Sequence, residues 1–206
     1  MAKSMSLLWG AGSPPCWRVM ITLEEKRLQG YKRKLLSFQK GEHKSQEVLE
    51  VNPRGQLPAF RHGDVVVNES TAACLYLEVN VRSSQTPGNR LIPDSPAEQA
   101  LVFQRMMEGL TLTDRLIIYY DLLVPEEERH DSALKRSKET LSTELQLWEG
   151  YLQNVWSISN HTPVSLRLTA SIGFYYSLLK ERPSIKASWP PQWMSSRQGY
   201  DVLKDL

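Results

Sequence analysis

Ser13-Pro14-Pro15-Cys16 lies between a short apolar run, Leu7-Leu8-Trp9, and a segment, Trp17-Arg18-Val19-Met20-Ile21, that reads as the start of a helix. A Cys-Pro-x-Cys tetrad in that setting is a thiol redox motif, because a helix N-terminus lowers the pKa of its first thiol. Here a serine holds the first position. The place keeps the field of a helix end but lacks the attacking sulfur, so it suits holding a thiolate that belongs to another molecule. A free thiol has a pKa of ~8.5, and a shift of ~2 units ionises most of it at neutral pH. That shift is worth ~2.7 kcal/mol, within reach of one charge-assisted hydrogen bond and a helix dipole. Ser-Pro is also a common helix start, and on the dipeptide by itself a plain N-cap is the commoner meaning. Cys16 reads either as a modifiable thiol or as a small buried residue; without a resolving partner the second is favoured.

Three further groups could bind a ligand. Gln56-Leu57-Pro58 precedes a strand pattern. A cis peptide there would offer the Leu57 N–H and C=O to an extended peptide, whereas a trans proline at a strand start is the ordinary alternative. Glu69-Ser70 opens a helical pattern. Amides and a hydroxyl at such a place bind carboxylates, Glu69 can pair with an ammonium, and a plain cap is the bland alternative. His43-Lys44 could hold a second carboxylate or be a solvated loop. No His, Cys, Asp or Glu cluster has metal-ligand spacing, and no glycine loop suits a phosphate.

These residues need positioning elements, and the first eighty residues alternate in type. Residues 5–9 read as a strand and residues 14–29 as a helix, with Ser13 as N-cap, Pro14 at its first position and Gly30 closing it. Residues 31–36 read as a second strand and 47–49 as a short helix. Residues 57–61 and 65–67 flank His62-Gly63-Asp64 as a hairpin. A helix over 71–81 follows. The order describes a small α/β sheet domain with a right-handed first crossover. Residues 82–93, with Pro87-Gly88 and Pro93, read as a linker. Helical patterns then run from Asp94 towards Leu123, from Glu126 to about Tyr151, and over 172–179 to a stop at Arg182-Pro183. Ser, Asn, Thr, His and Pro163 break the register over 155–168. The tail Trp189-Pro190-Pro191-Gln192-Trp193 is stiffened by proline, and its tryptophans are expected to pack back on the body. The expected domains are 1–83, a linker 84–93, and a helical domain 94–206.

A chain of 206 residues can bury a sizeable core without a metal or disulfide staple. Its net charge of +2, with basic residues spread out, argues against a dedicated nucleic-acid surface. Cys16 and Cys74 are too few for a disulfide framework and fit a reducing compartment. The first residues lack the long apolar run of a signal peptide, and no stretch could span a bilayer. The expected location is the cytoplasm.

Taken in order, the blocks Gly12-Ser13-Pro14-Pro15-Cys16-Trp17-Arg18-Val19, Asn52-Pro53-Arg54-Gly55-Gln56-Leu57-Pro58-Ala59-Phe60 and Asn68-Glu69-Ser70-Thr71-Ala72-Ala73-Cys74-Leu75-Tyr76-Leu77 resemble the soluble glutathione transferases. The tail over 180–191 is similar to the rho class found in fish, close to theta and zeta. The likeness covers about residues 5–153 and 171–194. It implies a thioredoxin-like α/β N-terminal domain that binds glutathione, and an all-α C-terminal bundle lining a site for electrophiles. On this likeness Ser13 is the catalytic hydroxyl that stabilises the thiolate. His43 and Lys44 lie by the glycine carboxylate, and Gln56 and Leu57 lie along the peptide. Pro58 is a cis-proline, and Glu69 and Ser70 grip the γ-glutamyl end. The likeness also implies glutathione as co-substrate with no separate cofactor, and a homodimer with neither nucleic acid nor membrane as partner.

The chain departs from the pattern in one place. The family's buried helix opened by a Ser/Thr-x-x-Asp box has no counterpart between Tyr151 and Ile172. The expected bundle therefore lacks one core helix. Conjugation of glutathione to hydrophobic electrophiles in detoxification is the leading reading. A non-catalytic binder of glutathione or hydrophobic ligands, and a zeta-like glutathione-dependent isomerase, are the alternatives. A thiol–disulfide reductase is disfavoured by Ser13.

Overall fold

A computed structural model describes residues 2–83, 90–115, 128, 130–159 and 170–190. Two compact units form, one from the residues up to Pro96 together with the segment from Arg182, the other from the helices between Ala97 and Glu181.

The first unit runs β1 (Met5–Gly10), α1 (Pro14–Glu25), β2 (Lys32–Leu36), a 3-10 turn (Glu42–Lys44), α2 (Gln46–Leu49), β3 (Ala59–His62), β4 (Val65–Val67) and α3 (Ser70–Ser83). The strands lie in the order β2-β1-β3-β4. β1 is parallel to β2 and antiparallel to β3, and β3 is antiparallel to β4. The alternation of β1 decides which side chains enter the core. Met5, Leu7 and Trp9 are buried, and with Phe60 they join Val19 and Leu23 of α1 and Ala73 and Leu77 of α3. Each of the large aliphatic and phenyl side chains among them stabilises the fold by roughly 1.5–3 kcal/mol. β2 is a sheet edge on which Lys32, Arg33 and Lys34 are exposed, and charges of this kind keep an edge from pairing with other strands.

Gly10, at the mouth of the β1–α1 turn, lets the Phe38 ring lie against the backbone. A Cβ there would lie 2.2 Å from the Phe38 ring.

α1 ends earlier than the position of Gly30 predicts. Leu28 N–H donates to the Leu23 carbonyl at 3.0 Å and Arg27 N–H to the Glu24 carbonyl at 2.9 Å, a Schellman pairing. Arg27 takes the left-handed position, at φ 53°, that glycine usually fills. Leu23 and Leu28 both reach the core, so hydrophobic contact across the turn sets the end. Next to it the Lys26 ammonium and the Glu78 carboxylate pair with side chains 1% and 2% exposed. Leu91 N–H, from the segment before Pro96, donates to Glu78 Oε2 at 3.3 Å.

The helix starting at Pro183 also differs from expectation. Pro183 reads in sequence as a stop, but it occupies the first turn of a new helix, α7 (Pro183–Ser188), which packs on α1. Proline suits that position because the first amides of a helix lack intrahelical partners.

The second unit holds α4 (Pro96–Arg115), α5 (Asp131–Ser159) and α6 (Ala170–Leu179). The Arg105 guanidinium lies 3.5 Å from the Tyr151 ring centroid, and buried Glu149 accepts the Ile172 N–H at 3.0 Å. α5 continues to Ser159, past the expected break at 155, since Val155-Trp156-Ser157-Ile158 contains neither glycine nor proline. Pro163 and the rest of the expected break lie outside the described residues, as do the expected helix beyond Arg115 and the residues before 128.

Candidate active site

Ser13 is the N-cap of α1, with extended backbone at φ −99° and ψ 106°. Its Oγ accepts the Cys16 N–H at 3.3 Å. That bond uses a lone pair and leaves the hydroxyl proton available to a further acceptor. Pro14 and Pro15 offer no N–H, so the first turn presents few amides and the hydroxyl is its principal donor.

Cys16 points the other way. Its Sγ accepts the Gly10 N–H at 3.4 Å and the residue is 1% exposed. Burial pushes the thiol up from its usual 9.0, against the smaller opposing effects of the Gly10 N–H and Ser13. Cys16 is therefore a protonated core residue. Burial likewise raises Cys74 from 9.0 and Tyr31 from 10.0. A group whose pKa is higher in the folded chain keeps its proton there after the unfolded chain has lost it. Its stabilising effect is complete below the unfolded value and is lost as pH rises. Thermal melts are thus expected to hold steady from neutral pH to about 9 and then fall, less steeply once both cysteines are replaced by alanine.

The other candidate residues connect through short contacts. Ser70, the first residue of α3, is buried, and its Oγ accepts Arg18 Nη1 at 2.7 Å. The same nitrogen reaches Thr71 Oγ1 at 3.4 Å. Glu69 is exposed and lies 3.7 Å from Arg54 Nη1. Lys44 Nζ donates to the Arg54 carbonyl at 3.0 Å, so Lys44 lies over Gly55. Gly55 has φ +59°, and a Cβ there would meet Lys44 Cδ at 2.7 Å, so any other residue would be strained and would push the Lys44 side chain aside. His43 packs against Phe38 with ring centroids 5.3 Å apart, and its buried Nδ1 has no hydrogen-bond partner among the described residues.

The Leu57-Pro58 peptide is cis. Asn52 holds its loop, donating from Nδ2 to the Gln56 carbonyl at 2.8 Å and accepting the Arg54 N–H at 3.2 Å. Leu57 is buried. The Gln56 side chain is exposed. The chain of contacts from Lys44 through Arg54 and Glu69-Ser70 to Arg18 thus ends five residues from Ser13 on the same helix. Arg18 and Arg54 were missed as functional candidates in the sequence. Both stand inside the blocks that carry the resemblance, but only the packing of α1 on α3 shows what Arg18 faces.

The arrangement offers a hydroxyl donor at a helix mouth, a cis-proline loop, and a helix start backed by a guanidinium. Residues 12–80 match the family model described as "Glutathione S-transferase, N-terminal domain". Over the full length of both chains, this one is 57% identical to Glutathione S-transferase A of Pleuronectes platessa. The chain belongs to the glutathione S-transferase family. A glutathione S-transferase from the Antarctic clam Laternula elliptica superposes with a TM-score of 0.77 at 34% identity, covering 94% of this chain and 95% of that one. A glutathione transferase from Phanerochaete chrysosporium, solved in complex with oxidized glutathione, gives a TM-score of 0.69 at 26% identity, covering 94% of this chain and 98% of that one. The fold is the family's thioredoxin-like α/β domain followed by a helical region. No described helix is long and apolar enough to cross a membrane, and no cluster of metal-ligating side chains occurs among the described residues.

Proposed function

We propose that this transferase conjugates the glutathione thiolate to hydrophobic electrophiles, with Ser13 stabilising the thiolate. The observation that carries the reading is the double use of one hydroxyl. Ser13 Oγ accepts the Cys16 N–H as a helix cap, and its proton can point to a sulfur at the helix mouth. Glutathione would lie extended along the Leu57 edge, with its sulfur at Ser13. Its γ-glutamyl end would meet Glu69 and Ser70, and its glycine carboxylate His43 and Lys44. Attack then needs only an ionised sulfur and an electrophile held close by, with no covalent enzyme intermediate. The product carries the new carbon–sulfur bond, and the leaving group or an added proton balances the charge.

The same reading makes the N-terminal domain 1–83, the linker 84–93 and the helical domain 94–206. It assigns a rho-type enzyme close to theta and zeta, a cytoplasmic detoxification role, and a homodimer. It also takes the helical domain to lack one core helix. Three observations support that last point: the missing capping box; the alignment with the Pleuronectes platessa protein, which runs over 232 positions against 206 residues here; and the exposure of Phe174, Tyr175, Tyr176 and Leu178 on α6. A sharp, cooperative, high-temperature melt of the whole chain would contradict it.

Steady-state conjugation of glutathione to a panel of chlorodinitrobenzene-type electrophiles, on folded protein, tests the function. Retention on glutathione-agarose without turnover would favour the non-catalytic binder, which the altered segment after Tyr151 makes the second reading. Arg18 supplies a separate prediction. A hydrogen bond to a charged group contributes about 1.5–3 kcal/mol, so Arg18→Leu is expected to raise the KM for glutathione roughly 10- to 100-fold. The pKa of the bound thiol should stay put, because Arg18 acts on Ser70 and not on the sulfur.

A further inference from the structure

α1, the helix that carries Ser13, is held at both ends by a segment far downstream. At its C-terminal end the buried Glu25 accepts three hydrogen bonds on Oε1, from Arg182 Nε at 2.9 Å, Arg182 Nη2 at 2.6 Å and Ser184 Oγ at 2.6 Å. At its N-terminal end Trp17 Nε1 donates to Ser188 Oγ at 3.0 Å, across 171 positions of chain. The Trp17 ring also meets Trp189 edge-on, with centroids 5.2 Å apart and planes at 76°. Ser184, Ile185 and Ser188 are all buried.

Trp17 is also tied to the cap. Its backbone N–H donates to the Ser13 carbonyl at 3.1 Å, which closes the first turn of α1. The Ser13 turn therefore has two restraints of different origin. From inside, Cys16 is held under the end of β1. From outside, Trp17 is held by α7 and Trp189.

We propose that the segment from Arg182 to Trp189 is a strap that positions Ser13, with Trp17, Ser188 and Trp189 as its positioning residues. The inference rests on the reading of Ser13 as the thiolate donor and adds to it a dependence on the far end of the chain. Two polar anchors, one at each end of a helix, fix both its tilt and its rotation. Loss of the Trp17 anchor leaves Glu25 bound and α1 folded, but frees the turn that aims the hydroxyl. A small misplacement of a reacting or stabilising group is enough to lower rate without abolishing binding.

The test uses the full chain in four forms: Trp17→Phe, Ser188→Ala, the double variant, and Ser13→Ala. For each, the pKa of bound glutathione is read from thiolate ultraviolet absorbance, and kcat and KM from conjugation across pH. Each single strap variant is expected to raise the thiol pKa and to lower kcat at neutral pH roughly tenfold. The KM for glutathione should stay within about twofold, since uniform binding is untouched. The double variant should be no worse than either single one, because both remove the same hydrogen bond. If one single variant fails to fold, the other reads the same bond. If the strap variants leave the thiol pKa unchanged while Ser13→Ala raises it, the strap is structural only and the inference fails. If Ser13→Ala also leaves it unchanged, the thiolate role of Ser13 fails first, and the strap inference with it.

Discussion

Ser13→Ala will lower the conjugation rate at neutral pH by roughly 25-fold, because a thiol of pKa ~6.5 is about three-quarters ionised at pH 7 and one of pKa ~8.5 only about 3%. The hydroxyl's two roles have different magnitudes. As a cap, accepting the Cys16 N–H, it stabilises the chain by about 1 kcal/mol. As donor to a thiolate it carries most of the ~2.7 kcal/mol that a shift of two pKa units requires. Alanine removes both, so the melting temperature should drop only slightly while the rate collapses. Glutathione affinity should hold, because the grip we propose for the peptide lies at Leu57, Ser70 and Lys44. Ser13→Thr keeps both roles and should recover much of the rate. The deficit of Ser13→Ala should also shrink as pH rises past the free thiol's pKa of ~8.5, where no help is needed to ionise the sulfur. A Ser13→Ala enzyme with full rate at neutral pH would refute the activation role.

Lys26→Met will destabilise the chain by about 3–5 kcal/mol, out of a total of about 5–15 kcal/mol. The pair it breaks is 1% and 2% exposed. Without the ammonium, the Glu78 carboxylate stays buried with only the Leu91 N–H on Oε2, and its Oε1 has no partner among the described residues. At this chain length the loss corresponds to a drop in melting temperature of roughly 6–20 °C. Lys26→Met with Glu78→Leu removes the stranded charge as well and should recover most of it, because a buried ion pair contributes little net stability over apolar replacements. Thermal melts of the three forms decide the point. A single variant as stable as the parent would mean that Glu78 finds water or another cation.

The geometry of the candidate site was legible in the sequence to the extent that its groups are local. Ser13 before two prolines, Glu69-Ser70 before a helical pattern, and a proline before a hairpin each carry their geometry in a few neighbouring residues. Pro58 is cis, and Ser13 caps α1. What the sequence withheld is non-local. Arg18 reads as one more charge on a helix until α3 places Ser70 against it. Pro183 reads as a stop because nothing nearby says that α1 waits to receive the helix it begins. The end of α1 misled for a local reason. Gly30 is the expected terminator, but the contact between Leu23 and Leu28 forces Arg27 into the left-handed position three residues earlier. The break expected from residue 155 was placed too early, because serine in a last turn does not end a helix when no proline or glycine accompanies it.

The inward set of Cys16 has a practical corollary. A catalyst that works on soft electrophiles is surrounded by reagents able to alkylate its own sulfur, and here that sulfur sits a single turn from the reaction. Kept protonated and shut behind Gly10, it is a poor target, so the protein can survive many rounds of the chemistry we assign to it without poisoning itself.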